Sequence, residues 1–313
     1  MSPPGTIVVA LGGNALQPPG ERVTIADQFR HTRVSLAAVV ELAREGWHIA
    51  IVHGNGPQVG DALERNEMAG DRVEPLPLGV LVASTAGWIG YMIQQSLQNV
   101  LHREGIDREV LTIITQTVVD VDREDALAPV KPIGHVLTPE RAARYRARGV
   151  PVREGRNGAR RLAPSPIPTD VVEADAVRRL VERGKIVIAG GGGGTPVYRD
   201  GDGWEGVDGV VDKDRVAAII GARLAADTLL ILTNVDAVYS DWGTPAQAEL
   251  RRLSLEEADA LLVGDDLGAG SMRPKLEAAV DFVRRGGQRA VIAALQEGPA
   301  ALRGEAGTTV IGD

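Results

Sequence analysis

Cysteine is absent from the 313-residue chain, which excludes disulfides, a thiolate nucleophile and any metal site built on cysteine sulfur. Aromatic side chains are scarce at 3%, so Ala, Val and Gly must do most of the packing within an ordinary 44% apolar composition. No run of about 18 apolar residues occurs, so no membrane-crossing helix is expected. No basic region precedes the short apolar run near the start, so a secretory signal is not expected and a cytoplasmic location is. Net charge is −8, which argues against nucleic acid or an anionic membrane as partner. Lysine is the rarest cation: among 34 basic residues only Lys131, Lys185, Lys213 and Lys275 are lysines. In so arginine-rich a chain, each compact, mobile ammonium calls for an explanation.

What is present alternates between strand and helix patterns, at a length that suits one large α/β domain or two smaller ones. Thr6–Leu11 is an apolar, β-rich run ending in Gly12-Gly13-Asn14. A helical stripe over Thr24–Glu45 stops at Gly46, and the strand Trp47–Val52 enters His53-Gly54-Asn55-Gly56-Pro57-Gln58-Val59-Gly60. Leu78–His102 reads as helix and Glu109–Val119 as a further strand. Repeated β–loop–α units predict a mainly parallel sheet with helices on both faces. Asp120–Asp170 breaks the rhythm with seven prolines and many arginines, leaves little room for core elements, and predicts a mobile excursion carrying Lys131. Beyond it come the helix Glu173–Arg183, the strand Lys185–Ala189 and the run Gly190–Gly194. Pro196–Val211 reads as a hairpin whose apolar end runs as a strand into Asp212, and Thr228–Leu232 as a strand. Asn234–Pro245 is a loop holding Tyr239 and Trp242, and Ser254 with Glu257 forms a capping box. Strands at Ala290–Ala294 and Thr308–Ile311 close the chain.

Two lysines stand at predicted helix starts: Lys213 before an apolar helix, and Lys275 directly after Pro274, a residue favoured at the first helical position. A helix N-terminus repels a cation unless a polyanion shares the spot. Glycine clusters follow four predicted strands or lie close behind, at Gly12-Gly13, Gly54–Gly56, Gly190–Gly194 and Gly264–Gly270, where backbone amides can approach an anion. Each feature alone has a plainer reading: a solvated lysine between Asp212 and Asp214, or a tight turn. Together they favour a phosphate site. A Walker loop, a dinucleotide fingerprint with its acidic residue, and the protein-kinase motifs are all missing.

The blocks Ala10–Leu16, HGNGPQVG at 53–60, TQTVVD at 115–120, KPIG at 131–134, PSPIP at 164–168, GGGG at 191–194, VDKD at 211–214, WGTP at 242–245 and the GSM-R-PK run at 270–275 resemble carbamate kinases. The resemblance spans nearly the whole chain and implies the amino-acid-kinase fold: an αβα sandwich around an open sheet of about eight mainly parallel strands, with a small protruding subdomain. It divides the chain into an N-terminal lobe for carbamate or carbamoyl phosphate (1–119), an inserted lid (120–170) and a nucleotide-binding lobe (171–313). Carried over residue by residue, Gly12, Gly13, Asn14, Gly54, Asn55 and Gly56 would hold carbamate and the transferred phosphoryl group. Lys213 and Lys275 would bind nucleotide phosphates, Asp214 would position the ammoniums, and Lys131 would reach over the phosphoryl group. Gly191, Gly192, Asn234, Tyr239 and Met272 would line the nucleotide pocket. The resemblance further implies Mg²⁺ with ATP or ADP, no metal held by the protein itself, and a homodimer; the small-residue segment Leu78–Leu97 fits either a subunit interface or ordinary core.

The chain departs from the family pattern at Asn234, where Asp is common, at Arg273, where a small residue is common, and at Trp242; Asp265-Asp266 adds negative charge nearby. Nucleotide affinity is the property these changes touch. His53 reads as a hydrogen-bonded structural histidine. Another acid kinase of the same fold, or a non-catalytic nucleotide-binding protein, are the competing functions.

Overall fold

The computed structural model describes residues 4–13, 16–17, 23–155, 158–264, 267 and 272–312. Asn14, residues 265–266 and most of the second glycine loop (268–271) lie outside the described residues. The chain opens with β1 (Thr6–Leu11), α1 (Ile25–Ser35), α2 (Ala37–Glu45), β2 (His48–His53), α3 (Gly56–Ala69), α4 (Leu78–Arg103), β3 (Val110–Thr112) and β4 (Gln116–Asp120). The insert holds β5 (Pro129–Ile133), α5 (Pro139–Ala147), β6 (Val152–Arg153) and β7 (Arg160–Pro164). Then follow β8 (Ile167–Val171), α6 (Ala174–Glu182), β9 (Ile186–Ile188), β10 (Thr195–Asp200), β11 (Gly203–Gly206), α7 (Lys213–Arg223) and β12 (Thr228–Thr233). The last stretch comprises β13 (Val238–Ser240), β14 (Ala248–Leu250), β15 (Arg252–Leu253), α8 (Leu255–Val263), α9 (Met272–Arg284), β16 (Arg289–Ala294), α10 (Gly298–Leu302) and β17 (Thr308–Ile311).

Eight strands form one sheet in the order β15-β17-β16-β12-β1-β2-β9-β3, parallel throughout except where β17 runs against β16. Both faces are covered, which is why β1 is apolar along its length rather than alternating with polar residues. Val8 and Ala10 face the core beneath α6, α7 and α9, whereas Ile7, Val9 and Leu11 face that beneath α1, α2 and α4. Small residues let the layers close. A Cβ added to Gly221 or Gly287 would lie 2.6 or 2.2 Å from the ring of the buried Phe282, an overpacking that costs on the order of 1–3 kcal/mol. Among the described residues no helix is long and apolar enough to cross a membrane.

Several local expectations need correction. Val207–Val211 is not a strand: Val207 N–H donates to the Pro196 carbonyl and Val210 N–H to that of Pro164, so this run, buried except at Asp208, ties β10 to β7. Glu109–Val119 is two strands in different sheets, β3 in the main one and β4 in a four-stranded one ordered β11-β10-β4-β8. The loop from Asn234 contains β13, hydrogen-bonded to β14 as an antiparallel pair. Pro274 is the third residue of α9 rather than its first.

The proline-rich insert does build a core. It forms the three-stranded sheet β5-β7-β6 with α5, whose N-terminus is capped by Thr138, and it buries Ile133, Ala142, Tyr145 and Ala163. Its prolines are tolerated because Pro129 and Pro132 lie on an edge strand and Pro164 ends the middle one. This subdomain rests on α3, where Asp61, Glu64 and Glu67, three residues apart and so on one helix face, pair with His135, Arg141 and Arg161. The main sheet crosses the residue-170 boundary without a break, since β9 lies between β2 and β3.

Candidate active site

In an open parallel sheet ligands bind beyond the carboxyl ends of strands, where neighbouring connections leave in opposite directions. The central strand β1 satisfies this, with β2 on one side and β12 on the other. A cavity of about 500 Å³ opens there, walled by Gly12 and Gly13 after β1, Gly54–Gly56 after β2, and Thr233 and Asn234 at the end of β12. Lys131 and Arg160 close it from the inserted subdomain, and Lys213 and Lys275 enter from the starts of α7 and α9.

Two carboxylates organise the ammoniums. Asp212 caps α7, accepting from the backbone N–H groups of Asp214 (2.9 Å) and Arg215 (3.4 Å), and its other oxygen meets Lys131 Nζ at 3.0 Å. Lys131 also donates to the Val211 carbonyl at 3.2 Å. Asp214 is 3% exposed and divides its oxygens between Lys213 and Lys275, the latter at 3.2 Å. Burial tends to raise the Asp212 pKa, but Lys131, Lys213 and Lys275 together hold it well below the ordinary carboxylate range. Burial also lowers the Lys213 pKa; Asp214 opposes this and Lys275 adds to it. Three ammoniums face two carboxylates, and the Arg160 guanidinium, whose own pKa burial lowers, adds further positive charge. An excess of positive charge in a half-dry cleft favours a polyanion.

Glycine is required where the loops meet. A Cβ on Gly54 would lie 2.8 Å from Gly13 N and 3.1 Å from Lys213 Cδ. Gly192 adopts φ 67°, and a Cβ there would lie 2.3 Å from Asn55 Nδ2. Asn55 reaches the cavity, but its carboxamide nitrogen donates to Thr85 Oγ1 at 2.9 Å. Among the described residues no side chain caps the α3 N-terminus, and the amide nitrogens of Asn55 and Gly56 lie beside Gly13.

Residues 5–294 match the amino acid kinase family. Carbamate kinase of Halobacterium salinarum is 44% identical over 309 residues, covering 97% of this chain and 97% of its own length. The chain belongs to the amino acid kinase family, among the carbamate kinases. Carbamate kinase from Giardia lamblia bound to citric acid superposes with a TM-score of 0.94 at 33% identity, with both chains fully covered. The same enzyme bound to AMP-PNP gives 0.91, again at 33% identity and full coverage of both chains.

Within this kinase fold the cavity brings together Lys131, Lys213, Asp214, Lys275, Gly12, Gly13, Gly54, Asn55, Gly56, Gly192 and Asn234. Three other expected residues lie outside its walls. Gly191 is packed beneath His53; Tyr239 donates to Asp236 (2.9 Å) and packs at a tilt against Trp242 with centroids 5.4 Å apart; Met272 packs against the core below α9. Arg273 is taken up by the carbonyls of Leu262 and Gly264, closing the C-terminus of α8. Lys185, as expected, is a strand-entry residue, paired with Glu109.

Sequence reasoning missed Arg160 and the α1 residues His31 and Ser35, all of which line the cavity. One arginine among many in the insert carries no local signal. Asp212 did have one, its place directly before a helix start.

His53 is fully buried at the end of β2, and burial, with Lys213 as a lesser cause, pushes its pKa from 6.5 down to about 4. A depressed folded-state pKa means that the unfolded chain takes up the proton first. The neutral ring's contribution to stability is therefore complete above about pH 6.5 and is lost as pH falls from there through about 4. Denaturant titrations between pH 7 and pH 4.5 should show this acid limb, with a slope approaching about 1.4 kcal/mol per pH unit, and its absence in His53→Asn. Equal slopes in the two proteins would contradict the assignment.

Proposed function

We propose that the chain is a carbamate kinase, transferring a phosphoryl group reversibly between ATP and carbamate. In the catabolic direction ADP and carbamoyl phosphate give ATP and carbamate, which breaks down to carbon dioxide and ammonia. The observation that carries the proposal is the convergence of Lys131, Lys213 and Lys275 with the glycine loops in one cavity, in a chain similar over 97% of its length to carbamate kinases.

A carbamate oxygen is already anionic, so it attacks the γ-phosphorus with no proton to remove. The bond from that phosphorus to the β–γ bridging oxygen breaks, and ADP leaves with the charge. The barrier is alignment and the repulsion of two anions rather than basicity. Lys213 and Lys275 bind nucleotide phosphates, with Asp214 setting their separation. Lys131, with Arg160 beside it on the subdomain, faces the transferred group, and the amides after β1 and β2 orient the acceptor. Residues 1–119 and 171–313 share the labour as acceptor and nucleotide lobes, and 120–170 acts as a lid. The oxygens of Asp212 and Asp214 are engaged by lysines and helix amides, which suits a Mg²⁺ that arrives on the nucleotide. Bound with the nucleotide, such a cation would supply further neutralisation of phosphate charge. The Giardia enzyme's AMP-PNP complex supports ATP as donor. A homodimer is proposed through the outer face of α4, where Val80 and Tyr91 are exposed and the exposed Ile114 lies beside Gly87.

Purified protein with Mg²⁺, ADP and carbamoyl phosphate should produce ATP, read by luciferase. No ATP from this pair, alongside ADP release from ATP with an amino acid or N-acetylated amino acid, would assign the fold a different substrate.

A further inference from the structure

His53 takes no direct part in the phosphoryl transfer carried by the lysines and glycine loops. Its surroundings give it a more specific task. The ring Nδ1 lies 3.1 Å from the Gly54 carbonyl oxygen. A neutral imidazole has one N–H, and a carbonyl only accepts, so Nδ1 carries the proton and Nε2 is bare. Among the described residues Nε2 is buried with no partner at hydrogen-bond distance, the Ala86 backbone being its polar neighbour, and a Cβ on Gly191 would lie 2.7 Å from it. The ring therefore wedges between two glycine loops, and its hydrogen bond at 3.1 Å goes to the first of them.

That bond fixes a peptide plane. In a trans peptide the C=O and the following N–H point in opposite directions. With the Gly54 carbonyl drawn inward to His53, the Asn55 N–H is turned outward. On that side lie Gly13 and the cavity: a Cβ on Gly13 would stand 3.5 Å from Asn55 N and 3.4 Å from Gly56 N. Among the described residues the Asn55 N–H donates to no backbone carbonyl. A buried amide without a partner beside an anion cavity is a donor held for a ligand.

We propose that His53 is a positioning residue for phosphoryl transfer, holding the Gly54–Asn55 peptide so that its N–H points at the acceptor or the group in flight. The proposal rests on the kinase reading. The ring does not touch the reactants and acts only through the Gly54 carbonyl.

The test compares side chains that do and do not keep a donor at the δ position. Asparagine places its NH₂ near Nδ1; glutamine, closer to histidine in length, places it near Nε2; leucine has none. His53→Asn should retain turnover within about threefold of the parent, while His53→Leu and His53→Gln should lose about 100-fold or more, as expected for loss of an oxyanion-type donor. ADP affinity by calorimetry should stay nearly constant across the series. Turnover that falls equally in all three, or only in step with the folded fraction, would overturn the proposal. Long-range ¹H–¹⁵N correlation on histidine-labelled parent protein gives a check that needs no variant. It should find His53 as the Nδ1–H tautomer at pH 7, and an Nε2–H tautomer would also overturn the proposal. Inactivity of the parent with carbamoyl phosphate would instead refute the kinase reading, and the tautomer measurement would still decide the hydrogen bond.

Discussion

Lys131→Ala is expected to lower kcat by about a thousandfold or more while changing ADP affinity by no more than about threefold. The comparison is with cationic side chains that reach over a transferring phosphoryl group in other phosphotransferases, which are worth 10³–10⁵ in rate. Lys131 stands on the inserted subdomain and meets Asp212 across the cavity at 3.0 Å, so it can attend to the group in flight without serving the nucleotide's resting position. Its ion pair is 31% exposed on the lysine side, and such pairs contribute roughly 0–1 kcal/mol, so the variant should fold normally. Steady-state ATP formation and calorimetric ADP binding separate the two effects. A drop of less than tenfold would mean that the lysine does no chemistry. Equal losses in turnover and binding would make it a nucleotide ligand instead, the behaviour expected of Lys213→Ala and Lys275→Ala.

Asp214→Asn carries the second large effect. The carboxylate is 3% exposed and stands between two ammoniums that are themselves largely shielded from water. Removing its charge leaves Lys213 and Lys275 facing each other, and breaking a buried ion pair from one side costs about 3–5 kcal/mol. The free protein should therefore melt well below the parent. Turnover should fall by about 100-fold, because a displacement of about 1 Å in a positioning group has that consequence. Nucleotide phosphates supply the missing negative charge, so saturating ADP should raise the melting temperature of the variant more than that of the parent. An unchanged melting temperature with unchanged turnover would remove Asp214 from the centre of the site.

What could be read from the chain was what is local. β1 and β12 announce themselves as continuous apolar runs because both faces are covered. Ser254 and Glu257 do satisfy each other reciprocally at the start of α8. The convergence of the lysines could be argued because α7 begins at Lys213 and α9 three residues before Lys275. What escaped depended on partners remote in sequence. Val207–Val211 looked like a strand until its amides found Pro196 and Pro164. The insert's prolines looked prohibitive until β5 proved to be an edge. Arg160 reaches the cavity because β7 pairs with β5, which no window of a few residues around it reveals.

The scarcity of lysine also makes the protein's amines an address book for its active site. Lys185 and Lys131 present 34% and 31% of their side chains to solvent, whereas Lys213 and Lys275 present 11% and 10%. An acylating reagent should therefore mark the surface amine and the subdomain amine first and the paired ones last. Burial is what lowers the pKa of Lys213, so opening of the cleft would return that amine to ordinary basicity while exposing it to the reagent. Mass increments counted with and without nucleotide would then report occupancy of the cleft, with Lys185 as the internal standard.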